Sequence, residues 1–154
     1  MFFIEGRIKK ILEDLNRKTM EHSMPIRGIK WKDCEYGELN LLNEDSTNWE
    51  EFQDKQTWGG RDKHSWFRLD IVIPQEFAGK SVMLKINTGR EGWDATNPQF
   101  TAWIDKKLQH GLDTNHTWLS LSETCEAGKH FLVDLYAYGG TEEGDARLQV
   151  EIFI

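Results

Sequence analysis

From Phe3 to about Glu21 the apolar residues Ile4, Ile8, Ile11, Leu12 and Leu15 recur at helical spacing with charges between them, which predicts an amphipathic helix. Glu5/Lys9, Glu13/Arg17 and Asp14/Lys18 each place an acid four residues ahead of a base, worth roughly a few tenths of a kcal/mol per pair. Pro25 and the residue before it cannot continue the helix, so it ends ahead of them. A lone helix of this length is marginal in water, so its apolar stripe needs cover from the rest of the chain or from another one. Residues 1–24 are therefore expected to pack on or beside whatever residues 25–154 form.

Beyond the helix the period changes from that of a helix to two. Phe67, Leu69, Ile71 and Ile73 alternate with Trp66, Arg68, Asp70 and Val72, the pattern of a half-buried strand stopped by Pro74. The alternation returns at Val82, Leu84 and Ile86, at Phe100, Ala102 and Ile104, and at Phe131, Val133, Leu135 and Ala137; Leu119 and Leu121 give a weaker version. The last run is Ala146, Leu148, Val150, Ile152 and Ile154. Turn-forming stretches with Gly79, Gly89, Gly92, Gly128, Gly139, Gly140 and Gly144 separate the runs. Many short strands with little intervening helix predict a mainly β domain, an antiparallel sandwich of jelly-roll type, preceded by one α-helix. A closing strand that runs to Ile154 without a polar tail suggests a piece of something longer.

Composition narrows the function classes. At 154 residues and 38% apolar, the chain has material for one core and one domain. Its apolar runs, such as Ile71-Val72-Ile73, fall far short of the roughly 20 residues that span a bilayer. The start, Met-Phe-Phe-Ile, turns charged at Glu5, so a secretory signal is not expected. Two cysteines, Cys34 and Cys125, are too few for a disulfide framework, and a cytoplasmic location fits best. A net charge of −7 with scattered basic residues leaves no footprint for nucleic acid, and no membrane partner is expected. Seven tryptophans, at 31, 49, 58, 66, 93, 103 and 118, are the unusual feature, and they suit cores, interfaces or the C–H face of a sugar.

Catalytic chemistry is not visible. His22, His64, His110, His116 and His130 lack the rigid spacing of a zinc site, and the pairing of His110 and His116 with Asp62 or Asp94 reads better as polar loop chemistry. Carboxylates are plentiful in loops, Asp62, Glu91, Asp94 and Asp113 among them, but spacing alone cannot place two of them across a glycosidic bond. No nucleophile elbow, phosphate loop or dinucleotide fingerprint occurs. Gly59-Gly60 and Gly139-Gly140 read as tight turns where side chains would not fit. No catalytic or metal-binding residue is therefore assigned. The polar and aromatic residues gather instead in three loops, whose candidate carbohydrate-binding or interface residues are Trp58, Arg61, Asp62, His64 and Trp66, then Trp93, Asp94, Asn97 and Gln99, then Asp113, Asn115 and His116.

Four segments carry a resemblance: Trp66-Phe67-Arg68 leading to Ile73-Pro74; Gly79-Lys80-Ser81-Val82-Met83-Leu84; Gly92-Trp93-Asp94-Ala95-Thr96-Asn97-Pro98-Gln99; and Gln109-His110-Gly111-Leu112-Asp113-Thr114-Asn115-His116. Together they resemble the N-terminal domain of glycoside hydrolase family 38 α-mannosidases of the bacterial and cytosolic type, over nearly the whole chain. Where that family usually places Asp-Gly after the strand ending near Ile104, this chain has Asp105-Lys106-Lys107, which leaves the turn type open. The family's zinc-binding and nucleophilic residues follow in an α/β domain opening with a His-x-His-x-Asp motif that these residues do not contain. The resemblance thus implies an accessory piece of a retaining, zinc-dependent exo-α-mannosidase, with zinc expected only in the catalytic domain. Its expected partners are that domain, a second copy of the chain or a mannoside ligand. A free-standing lectin-like module and a purely structural interaction domain are the competing readings. Under the docking reading, at least one of Trp58, Trp66 and Trp93 should lie open to solvent as a contact surface.

Overall fold

The structure, a computed structural model, describes residues 2–19, 22–90, 97–141 and 145–154. Helix α1 (Phe2–Thr19) forms where the periodicity places it. Its apolar stripe, Ile4, Ile8, Ile11, Leu12 and Leu15, is 52–63% exposed.

Among the described residues twelve strands follow: β1 (Ser23–Pro25), β2 (Lys30–Cys34), β3 (Glu50–Glu51), β4 (Trp58–Gly59), β5 (His64–Val72), β6 (Val82–Asn87), β7 (Gln99–Ile104), β8 (Lys107–Leu112), β9 (Trp118–Ser122), β10 (His130–Tyr138), β11 (Asp145–Ala146) and β12 (Gln149–Phe153). They build a four-stranded sheet in the order β1-β12-β6-β9 and a six-stranded sheet in the order β3-β2-β5-β10-β7-β8. The short pair β4 and β11 forms a third ladder. Every strand pair described is antiparallel.

The anticipated strand runs all become strands, and their apolar positions meet between the two larger sheets. Phe67, Leu69 and Ile71 of β5 stand opposite Leu135, Val133 and Phe131 of β10, and face Val82, Leu84 and Ile86 of β6 with Val150 and Ile152 of β12 across the core. Each such side chain removed from water contributes about 1.5–3 kcal/mol before the entropy of ordering is counted. The last run divides. Ala146 pairs with Trp58 in the β4–β11 ladder, whereas Gln149–Phe153 joins the four-stranded sheet. Between them the Arg147 N–H donates to the Thr88 carbonyl at 2.9 Å.

Strand β5 departs from the half-buried expectation, because every residue from His64 to Leu69 is buried. Its outer face lies beneath residues 35–49, which run over the six-stranded sheet with short 3₁₀ turns at Leu39–Asn43 and Ser46–Asn48. Strand β8 is the converse. Five of its six residues are exposed, so it carries no alternation for the sequence to reveal.

The turn after Ile104 is a two-residue hairpin. Ile104 pairs with Lys107, and Asp105 and Lys106 both hold positive φ, 49° and 64°, as a type I′ turn requires. Asp105 is fixed twice to β10: its N–H donates to the Leu132 carbonyl at 2.8 Å, and its Oδ1 accepts the Leu132 N–H at 3.0 Å. Lys106 has no such anchor among the described hydrogen bonds, yet sits in the left-handed region that favours glycine. Lys106→Gly should therefore raise stability by about 0.5–1 kcal/mol. A urea titration checks this, and a midpoint below that of the parent chain contradicts it.

Candidate functional site

Three rungs of side chains cross the outer face of the six-stranded sheet, set by the register of β5, β10 and β7. The first is Arg68, Asp134 and Trp103; the second is Trp66, Tyr136 and Thr101; the third is His64, Tyr138 and Gln99. Residues 38–49 of the covering segment close over Arg68 and Trp66 of the first two rungs, and Tyr36 reaches His64 of the third.

Arg68 holds that cover in place. Its Nε donates to Asp134 Oδ1 at 2.5 Å, Nη1 to the Glu44 carbonyl at 2.5 Å, and Nη2 to the carbonyls of Leu42 at 2.9 Å and Leu41 at 3.2 Å. The guanidinium also lies 4.8 Å from the centre of the Trp49 ring. Around it Leu41, Trp49, Trp66 and Trp103 form a second apolar cluster, separate from the core between the sheets. Trp66 Nε1 donates to the Glu38 carbonyl at 3.0 Å, and the Gly37 N–H donates to Tyr136 Oη at 2.9 Å. Glu44 accepts from Lys32 at 2.7 Å and from Trp49 Nε1 at 3.0 Å, and these bonds hold its carboxyl below the usual carboxylate range. Burial pushes the Asp134 carboxyl up against the pull of Arg68.

Beyond the cover the sheet opens into a hollow of about 810 Å³ bordered by Tyr36, Asp62, His64, Gln99, Thr101, Asp113, Tyr136 and Tyr138. His64 is stacked between Tyr136 and Tyr138, at centroid distances of 5.4 and 4.9 Å, with Tyr36 edge-on at 5.5 Å. It is only 9% exposed, and its Nδ1 is buried with no partner among the described residues. Burial lowers the imidazole below its ordinary value, outweighing Asp62 and Glu35, so it is neutral at pH 7.

The two carboxylates of the rim are placed by local backbone chemistry. Asp62 occupies the left-handed region at φ 55°, its N–H donating to the Gly140 carbonyl at 2.7 Å, and it accepts the Tyr138 hydroxyl at 3.0 Å. This fixing needs the two glycine pairs. A Cβ at Gly139 would stand 2.7 Å from the Gly60 carbonyl oxygen, and one at Gly140 would stand 2.8 Å from Asn97 Cβ. Gly139 and Gly140 thus leave no room for side chains, whereas Gly59 lies in strand β4 and Gly59 and Gly60 are required by their positive φ, 90° and 103°, instead of by crowding. Asp113 caps its own loop, with Oδ1 accepting the N–H groups of Asn115 at 2.7 Å and His116 at 2.6 Å. Burial pushes its carboxyl up, but the bonds from His116 and Asn115 more than offset this and leave it below its ordinary value.

Of the twelve candidate residues, the hollow brings together Asp62, His64, Gln99 and Asp113. Arg61 stands beside Asp62 at 3.9 Å with its side chain largely exposed, and Asn97 touches the Gly140 backbone. Asn115 and His116 serve the Asp113 loop. Trp93 and Asp94 lie outside the described residues. Two assignments are corrected. Trp58 is 3% exposed and packs on Phe67 and Phe100 in the core, because β4 pairs with β11 and turns the indole inward. Trp66 is fully buried under residues 38–49. Neither is a contact surface. Tyr36, Thr101, Tyr136 and Tyr138 were missed; for the last three the signal was the outward phase of strands whose inward phase had already been read. Among the described residues, no three His, Cys, Asp or Glu side chains come together as a metal site, and no helix is long and apolar enough to cross a membrane.

Residues 24–138 match the family model for the alpha-mannosidase jelly roll domain. No curated protein sequence matches the chain. Solved structures share its fold at low identity. A glycosyl hydrolase family 2 member from Bacteroides cellulosilyticus superposes with a TM-score of 0.60 at 11% identity, over 85% of this chain and 20% of that one. A Bacteroides uniformis beta-glucuronidase gives 0.59 at 15% identity over 86% and 18%, and a Ruminococcus gnavus b-glucuronidase gives 0.59 at 8% identity over 86% and 29%. The chain thus spans under a third of the length of each.

The neutral, buried His64 has a consequence for stability. With its folded value depressed, the unfolded chain takes up the proton first, so stability is intact above about pH 6.5 and falls as the pH drops through and below that value. Urea midpoints measured from pH 7.5 to 5.5 should decline for the parent chain and decline less for His64→Gln. Equal slopes for the two proteins would contradict the assignment.

Proposed function

Since the chain belongs to the alpha-mannosidase jelly roll domain family, we propose that it serves as the accessory domain of an α-mannosidase, docking on the catalytic domain, stabilising it and shaping the approach to its substrate pocket. The family match over residues 24–138 carries this reading. Glycosidase chains with the same fold over 18–29% of their length are consistent with an accessory role. The surface offered for docking is the stripe of α1. Five large aliphatic residues on one helix face, all more than half exposed, have no reason to persist in water unless another surface covers them. In this reading hydrolysis and zinc belong to the catalytic domain, and the cytoplasm, where Cys34 and Cys125 stay unpaired, is the compartment.

The test is co-expression of this chain with an α-mannosidase catalytic domain. The two should co-purify, and the chain by itself should leave an aryl α-mannoside intact. Ile8→Asp with Leu12→Asp should abolish co-purification without lowering the urea midpoint of the isolated chain, because both positions are exposed there. Unchanged co-purification by that variant would contradict docking through α1, and hydrolysis by the isolated chain would contradict the accessory role.

A further inference from the structure

The hollow on the outer sheet face has a composition that selects among ligands. Among the described residues its lining includes two carboxylates, Asp62 and Asp113, and neither lysine nor arginine. The imidazole described there, His64, is neutral at pH 7 and brings no positive charge. A phosphate or a uronate would meet like charge, with no cation among the described lining residues to pair it.

An organic cation is the obvious alternative for a site with carboxylates and aromatic rings. The ring arrangement argues against it. Cation recognition typically uses several open ring faces together, but His64 covers one face each of Tyr136 and Tyr138 by stacking, with interplanar angles of 13° and 23°. Tyr36 is the one exposed ring among the described lining residues, at 84% exposure, and offers a single open aromatic surface.

The polar groups form a mixed set of donors and acceptors. Tyr136 Oη accepts the Gly37 N–H and keeps its proton to donate. Asp62 gives one oxygen to the Tyr138 hydroxyl, while the other meets the exposed Arg61 only at 3.9 Å. The Thr101 hydroxyl borders the same space. Alternating donors and acceptors beside one flat apolar face match a ring that carries hydroxyls on its edge and C–H groups on its face. The volume, about 810 Å³, lies within the roughly 300–1,000 Å³ range of small-molecule sites.

We infer that this hollow is a binding subsite for a neutral pyranoside, with a sugar ring against Tyr36 and its hydroxyls bonded to Asp62, Thr101 and Tyr136. The subsite stands apart from α1, so it can hold whether or not the helix docks on a catalytic domain.

The test is a titration of the chain followed by amide NMR, with methyl α-mannopyranoside, methyl β-glucopyranoside and methyl β-galactopyranoside as neutral pyranosides, glucuronate as the anion and choline as the cation. At least one neutral pyranoside should give saturable shifts at Tyr36, Gly37, Thr101 and Gly111, with affinity on the order of millimolar. Tyr36→Ala, a change at an exposed position, should weaken that binding by about five-fold, while Ile8→Asp with Leu12→Asp should leave it unchanged. Absence of saturable shifts with all three neutral sugars would overturn the inference, as would equal binding by Tyr36→Ala, or tighter binding of glucuronate or choline. Loss of sugar binding alone would leave docking through α1 untouched, and loss of docking alone would leave the subsite untouched.

Discussion

A guanidinium buried between strand β5 and the segment that crosses it decides how the outer face of the six-stranded sheet is used. Arg68 satisfies the Asp134 carboxylate on one side and three backbone carbonyls of residues 41–44 on the other. A loop that runs over a sheet must find partners for its carbonyls, and the planar fork of arginine supplies several donors from one side chain. Two buried charges are costly to desolvate, and removing one partner alone typically costs about 3–5 kcal/mol because the other is left unpaired. The pair is thus better understood as fixing where the loop goes than as adding to stability. Asp134 Oδ2 remains buried without a hydrogen bond among the described residues, so the satisfaction is incomplete.

That placement links the fold to the hollow. The same loop brings Tyr36 over His64 and the Gly37 N–H to Tyr136, so one wall of the hollow is built by the cover that Arg68 fastens. The opposite rim depends on backbone packing, where the Gly59-Gly60 and Gly139-Gly140 pairs set Asp62 next to Tyr138. The chain therefore carries two surfaces of different character: an apolar helix face, and a polar hollow with one open ring. They belong to different elements, so the proposed docking through α1 and the proposed sugar subsite on the sheet need not compete.

Much of the fold was legible because period-two alternation marks any strand with one face in a core. Phe67 to Ile73, Val82 to Ile86 and Phe131 to Ala137 declared themselves in this way. The same rule failed for β8, whose residues are mostly exposed, and for the cover over β5, since nothing local to residues 35–49 announces what they lie on. The site was half legible. Asp62, His64, Gln99 and Asp113 stood out as polar residues among turn signals, but Trp58 and Trp66 were misplaced because charged neighbours in sequence say little about a side chain that points inward. Tyr136 and Tyr138 sat unnoticed on the outward phase of a strand read only for its core. The hairpin at Asp105-Lys106 kept the I′ form without the expected glycine at its second position; Asp105 suits the left-handed region and is held by two bonds to Leu132, while Lys106 is carried there without an anchor among the described hydrogen bonds.

Arg68 thus organises the covering segment without being needed for the inner sandwich. Amide hydrogen exchange in the Arg68→Met, Asp134→Leu double variant tests it most directly, because removing both charges leaves neither stranded in the interior. Protection should be lost at Gly37, whose amide reports the contact with Tyr136, and at the bonded amides of Glu44 and Trp49, while the amides of β6 and β12 keep theirs. Full protection of Gly37, Glu44 and Trp49 in that variant would contradict it.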